Sequence, residues 1–250
     1  MKSLLAAFRF LTTLPVGVAT GEKEEEALAS SMIFFPLVGL SIGGCLFLIY
    51  RGGSLVFSPL LTNLLVLLGW IVITGALHLD GFMDTVDGLS GGRNREERLK
   101  IMSDSSAGAK GVIGLVSLLG LKFLLLVEIE PSLKMGTLLF APAVGRWSMV
   151  LTTHLAPCAR EKGLAKAFIT HKGGAVVFWT SLTVALLGLA IFKSSFLLVI
   201  GICLGVMYAS TLYFKSRIGG ISGDTLGALN EIIEVSALFS IYCLGKARAI

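Results

Sequence analysis

The stretch LLTNLLVLLGWIVITGALHLDGFMDTVDG, running from Leu60 to Gly88, decides the fold: an uncharged apolar run is followed at once by three aspartates, Asp80, Asp84 and Asp87. About 20 apolar residues, rising ~1.5 Å each as a helix, cross the ~30 Å of hydrocarbon in a bilayer. The segment 55–79 therefore reads as a membrane span that delivers acids to one surface. Working outward, the same apolar pattern recurs at 33–50, 112–127, 135–156, 175–192 and 196–214. A shorter run at 232–244 carries Glu234, so it docks or dips if it does not cross.

Composition agrees with that reading. Of 250 residues, 54% are hydrophobic and only 15% charged, against about 25% charged in ordinary globular proteins, which argues against a water-soluble fold. Cys45, Cys158, Cys203 and Cys243 are far apart and read as small core hydrophobes rather than a disulfide or metal framework. Nor does the N-terminus read as a secretory signal, because its apolar run breaks at Arg9. Residues 3–14, with Leu4, Leu5, Phe8 and Leu11 at helical spacing, suit a short interfacial helix. The expected class is an all-α, polytopic membrane helical bundle of about six to seven transmembrane helices with catalytic loops on the cytoplasmic side, as a single integral-membrane domain over 1–250.

Charge sets the orientation. With alternate loops on alternate sides, 14 of the 21 Lys and Arg residues fall on the side of the N-terminal segment, as do 13 of the 16 acids. The positive-inside rule makes that side cytoplasmic. It also collects the long loops 80–111, 156–174 and 215–231, so the chemistry belongs to loops facing the cytoplasm. The net charge of +5 is spread over membrane-proximal loops, which suits anionic lipid and argues against nucleic acid. The run Glu22-Lys-Glu-Glu-Glu26 reads as a solvated helix start.

If the helix continues past Leu79, Asp80, Asp84 and Asp87 stand at i, i+4 and i+7 on one face. Such like-charge pairs cost a few tenths of a kcal/mol each when exposed, and more near a low-dielectric boundary. A hard divalent cation, Mg2+ or Mn2+, shared with substrate phosphates would compensate. The plainer alternative is a decorated helix end whose acids are solvated or paired with Arg93, Arg95 or Arg98. Against it, Gly81, Gly88, Gly91 and Gly92 leave room for a bulky ligand, and Arg93 and Arg95 supply donors suited to phosphate. Acids for metal and bases for phosphate, side by side, suggest a diphosphate site.

Further along, Asp104 is a fourth candidate ligand or base. Ser105, Ser106 and Lys110 suit a phosphate, with Gly108 and Gly111 opening access near a helix N-terminus; Asp104 or Ser105 also suits a plain N-cap. Asp224, Asn230 and Glu231, in a second glycine-rich stretch, suit a ribose or amide contact or a second metal position. Arg146 and Lys122 fall inside spans, where charges face a cavity or a partner, and pairing of either with Glu234 is an equal alternative. His78 reads as a hydrogen-bonding fixture more than a ligand, and His154 and His171 show no metal-ligand spacing. There is no P-loop, no dinucleotide fingerprint and no serine-nucleophile elbow.

Four blocks together, Phe8 to Val16, His78 to Gly111, Gly145-Arg-Trp-Ser-Met149 and Gly219-Gly-Ile-Ser-Gly-Asp-Thr-Leu-Gly-Ala-Leu-Asn-Glu231, resemble the adenosylcobinamide-GDP ribazoletransferase (cobalamin synthase) family. The resemblance implies an enzyme of the cytoplasmic membrane that uses Mg2+ to join adenosylcobinamide-GDP to alpha-ribazole or its 5'-phosphate, releasing GMP, late in cobalamin assembly. On this reading Asp80, Asp84, Asp87 and Asp104 hold the metal, and Asp104 accepts the hydroxyl proton. Arg93, Arg95 and Lys110 take phosphate oxygens, while Asp224, Asn230 and Glu231 contact nucleoside or corrinoid amides. Self-association, and association with other cobalamin-assembly enzymes, are left open. A fainter likeness joins Asp84-Thr-Val-Asp87-Gly88 to the CDP-alcohol phosphotransferases, whose downstream acid spacing is absent here. A secondary transporter would place its acids nearer mid-span, and a structural subunit would tolerate their loss.

Overall fold

The structure is a computed structural model and describes residues 2–16, 28, 30–161, 164–170 and 173–247. The acidic run at 22–26 and His171 lie outside the described residues. Those described form helices: α1 (Lys2–Leu11), α2 (Phe35–Gly53, entered through a 3-10 turn at Ser30–Phe34), α3 (Pro59–Thr74), α4 (Leu77–Gly91), α5 (Arg95–Ile101), α6 (Ala109–Glu128), α7 (Pro131–Leu155), α8 (Leu164–Thr170), α9 (Gly174–Phe192), α10 (Phe196–Ile218) and α11 (Gly223–Lys246).

The stretch expected to be one span over 55–79 is two helices. Ser58 accepts the Leu61 N–H and Pro59 opens α3, as suits a helix start. Gly75 (φ 60°) and Ala76 (φ 57°) then both turn left-handed, and α4 leaves at 88° to α3. Glycine takes that conformation without steric cost. The three aspartates lie on α4, beyond this bend.

α7 is the central element, buried along most of its length. Pro142 lacks an N–H, so the Leu138 carbonyl loses its helical partner. Gly39 and Gly43 of α2 lie directly on this part of α7: a Cβ at Gly39 would overlap the Pro142 carbonyl, and one at Gly43 the Leu138 carbonyl. This is the small-xxx-small packing by which membrane helices bring their backbones together. Gly39→Ala is expected to lower the thermal midpoint of the detergent-solubilised protein, since overpacking costs ~1–3 kcal/mol. Gly44→Ala, whose Cβ meets nothing within 4 Å, serves as the control and should leave the midpoint unchanged or slightly raised.

Contacts with α7 also resolve the run from Gly174 to Ile218. Phe140 touches both Phe192 and Phe196, Trp147 Nε1 donates to Ser181 Oγ at 3.0 Å, and Thr152 meets Thr211 at 3.5 Å. Moving up α7, α9 is therefore read backwards and α10 forwards. They form an antiparallel pair that reverses at Lys193 (φ 52°), with Phe196 packed on Gly188.

Length and apolarity qualify four membrane spans among the described residues, or five if the bent pair is one. That confirms the helical membrane class but is short of six to seven. Gly174–Ile218 counts as one apolar run although it folds back as α9 and α10, and α7 is not among the qualifying spans. The segment expected over 232–244 is instead a 24-residue helix beginning at Gly223, and it does qualify. Its start is fixed by a capping box: Thr225 N–H donates to Ser222 Oγ, and Ser222 N–H to Thr225 Oγ1. Glu231 and Glu234 do not interrupt it because both are buried in ion pairs.

Candidate active site

One end of the bundle carries α1, α4, α5, α8, the start of α11 and the loops around 92–108 and 156–161. Backbone bonds weld these loops together. Ala159 N–H donates to Ile221 O at 2.8 Å and Ile221 N–H to Pro157 O at 2.9 Å, forming a parallel bridge at Cys158 and Ile221. Arg95 clasps both strands of this joint, donating from Nε to Ile218 O (2.9 Å) and from Nη2 to Ala159 O (3.0 Å). Arg98 does the same for its neighbours, reaching Gly92 O, Arg217 O and Arg93 O. Arg95, assigned above to phosphate, thus commits two of its donor groups to the scaffold.

The α4 helix does extend past Leu79, so Asp80, Asp84 and Asp87 share a face as expected. Their surroundings differ. Asp87 lies under the N-terminus of α6, where its two carboxylate oxygens accept the N–H groups of Gly108 and Gly111, each at 2.8 Å. A Cβ on either glycine would overlap that carboxylate; these glycines admit Asp87 rather than only a ligand. Among the described residues no hydrogen bond or ion pair reaches the carboxylates of Asp80 or Asp84.

Burial first, then the charges of Asp80, Asp224 and Asp87, push the Asp84 carboxyl from its ordinary 3.8 up to about 6, with Arg160 opposing them. Asp224 is itself held by Arg160 Nη2 at 3.1 Å, and Ser222 Oγ donates to it at 3.3 Å. The fold therefore gathers three acids around Asp84, with Arg160 as the opposing charge among the described residues. Arg160 gave no signal in the sequence, lying in a loop more than 60 residues from α4.

Asp104 is elsewhere. It is exposed in the turn before α6, accepts the Ser106 N–H at 2.9 Å and is held below the usual carboxylate range by that bond. Nothing links it to Asp84. Ser105 is exposed beside it, and Lys110 Nζ donates to Ser90 O at 2.8 Å. Arg93 is exposed at the α5 entry, its N–H donating to Glu97 at 2.8 Å.

Arg146, Asn230 and Glu231 lie inside the bundle. Glu234, fully buried, pairs with both Arg146 and Lys122; Lys122 also pairs with Glu231 at 2.9 Å and sits 4.0 Å over the Trp70 ring. Asn230 Nδ2 donates to Glu234 at 3.1 Å and Glu231 at 3.3 Å. Two cations and two carboxylates cancel in this network, the outcome the sequence left open for Arg146 and Lys122. Arg146 Nη2 also meets His78 Nδ1 at 3.3 Å, so the network ends beneath α4. At the opposite end Lys134, one residue before the span expected at 135–156, is buried against Leu126 O and Asn63.

Two cavities flank α4. One, of about 130 Å3, is lined by His78, Asp80 and Asp224 with Phe10, Met149 and Phe168. The other, of about 360 Å3, lies between α4, α10 and α11 and is lined by apolar and hydroxyl side chains, among them Phe82, Thr85, Tyr213 and Ile232. No group of three or more His, Cys, Asp or Glu preformed for a metal occurs among the described residues.

A multi-pass helical membrane protein with a carboxylate-rich, arginine-bearing site at one bundle end is the class these features define. The chain belongs to the cobalamin-5-phosphate synthase family, whose model matches residues 3–242. Relatives named adenosylcobinamide-GDP ribazoletransferase include those of Thermoanaerobacter sp. strain X514 (35% identical, covering 95% of this chain and 96% of the relative), Chlorobaculum parvum (36%; 96% and 94%) and Geotalea daltonii (34%; 98% and 98%). No solved structure matches the chain.

Proposed function

We propose that this protein is an adenosylcobinamide-GDP ribazoletransferase of the cytoplasmic membrane, with α4 and its neighbouring loops facing the cytoplasm. The observation that carries the site reading is the gathering of Asp80, Asp84, Asp87 and Asp224 against Arg160, an arrangement that invites a positively charged ligand. Mg2+ is commonly held by one or two carboxylates and completed by substrate phosphates and water, so the uncommitted carboxylates of Asp80 and Asp84 suit it without a preformed cage. When bound, the ion would neutralise charge on the diphosphate.

The chain's own residues do the rest. Asp87 fixes α4 to the start of α6. Arg160, which pairs with Asp224, is placed to share its donors with a phosphate oxygen. A hydroxyl of the nucleoside attacks the phosphorus attached to cobinamide, the bond to the guanosine phosphate breaks, and GMP leaves. Asp224, which lines the smaller cavity, is assigned the hydroxyl proton in place of Asp104, because a base must reach the proton it removes. Purified protein in detergent, given adenosylcobinamide-GDP, alpha-ribazole and Mg2+, is expected to release GMP; absence of GMP would defeat this reading.

The Asp84 shift has a sign that can be measured. Because the native state holds this proton more tightly than the unfolded chain, ionising Asp84 costs stability as pH rises from about 4 towards 6. A divalent ion relieves that cost only when Asp84 is charged. Mn2+ is therefore expected to raise the thermal midpoint at pH 7.5 and to do so much less at pH 5, where ~10% of Asp84 is ionised. An equal effect at both pH values would remove Asp84 from the metal site.

A further inference from the structure

We propose that the cavity between α1, α4, α8 and α11 receives the nucleoside acceptor, and that His78 donates its Nε2–H to a neutral oxygen or ring nitrogen of that nucleoside. The inference rests on the transferase reading above and names which substrate enters which cavity. Its first support is a forced tautomer. A guanidinium has only donors, so where Arg146 Nη2 meets His78 Nδ1 at 3.3 Å the imidazole accepts, and its hydrogen sits on Nε2. Buried imidazoles ordinarily satisfy both nitrogens. Here Nε2, on the ring edge away from Arg146, is buried without a partner among the described residues, although His78 is only 2% exposed and lines the cavity.

The lining supplies the second support. Phe10, Met149 and Phe168 offer flat apolar contact for a ring, with Phe10 and Phe168 in an edge contact at 5.7 Å. Asp224 on the same wall accepts from a sugar hydroxyl, and Asp80 beside it places that hydroxyl next to the proposed metal position. Gly81 and Gly227 bring α4 and α11 close enough to close the floor: a Cβ on Gly81 would lie 2.9 Å from Asp224 O, and one on Gly227 3.2 Å from His78 Cα. The chemistry of this wall suits an aromatic nucleoside, and its volume of about 130 Å3 suits the ring system, with the sugar towards Asp224. The larger cavity beyond Thr85 has no ionisable group except Tyr213 and offers sugar hydroxyls no carboxylate.

Two substitutions separate contact from scaffold. His78→Asn keeps an acceptor near Nδ1 for Arg146 and removes the Nε2 donor; His78→Gln keeps a donor near Nε2. In steady-state GMP release, His78→Asn is expected to raise KM for alpha-ribazole about tenfold or more, the effect of stranding a hydrogen-bonding group. KM for adenosylcobinamide-GDP and the thermal midpoint should stay near wild type, and His78→Gln should recover most of the loss. An unchanged KM for alpha-ribazole in His78→Asn, alongside an active wild type, overturns the inference and leaves the transferase reading intact. So does an equal rise in both KM values with a lowered midpoint, which marks a structural histidine. A wild type that releases no GMP overturns both.

Discussion

Asp84→Asn is expected to reduce GMP release by about 10²–10³-fold, the loss typical when a group that stabilises developing charge is removed, while membrane insertion and thermal midpoint are retained. The reasoning is local. Asp84 has no hydrogen bond or ion pair to lose among the described residues, and in the folded protein it is crowded by Asp80, Asp224 and Asp87. Neutralising it relieves repulsion and removes only what the charge would do for a ligand. Asp87→Asn should behave differently even though it sits one turn away. Its two oxygens accept two N–H groups, and an amide can accept with only one oxygen, so that variant should lose ~1–3 kcal/mol of stability as well as activity. Asp104→Asn, in its exposed turn, should stay within a few fold of wild type. GMP release and thermal midpoints measured on the three variants side by side decide the matter. Equal losses for Asp84→Asn and Asp104→Asn would break the assignment of the site to the face of α4.

Glu234→Ala is the second large expected effect, and it is on stability. Glu234 is the anion shared by Arg146 and Lys122. Its removal leaves two buried cations with Glu231 as the remaining carboxylate, paired to Lys122. Breaking a buried pair by deleting one partner costs about 3–5 kcal/mol, because the surviving charge has no water to turn to. The double variant Arg146→Met with Glu234→Leu removes one charge of each sign and leaves the Lys122–Glu231 pair, so it should be less destabilised than Glu234→Ala alone. Thermal unfolding in detergent checks the order; a double variant less stable than the single one would show that the network is not held by charge balance.

In this protein, then, the acids divide by what surrounds them. Asp87, Glu231 and Glu234 are tied into the scaffold, while Asp80, Asp84 and Asp224 line or approach the open end. Residue type alone does not make that division: the same aspartate one turn along α4 either meets two helix-terminal N–H groups or meets none.

What the linear chain determined by itself was the membrane class, the helical runs and the register of Asp80, Asp84 and Asp87, because hydropathy and the 3.6-residue period depend on near neighbours. Gly39 and Gly43 stand four residues apart in an apolar run, but it is α7 that shows what they receive. The tertiary structure alone decided the 88° turn at Gly75 and Ala76, the burial of Lys134, the pairing of Arg146 with Glu234 across 88 residues and the arrival of Arg160 beside Asp224. Each depends on which surfaces meet when the helices pack. A charge becomes a scaffold pair or a site residue according to the partner that packing brings within about 3 Å, and that distance is not written in local sequence.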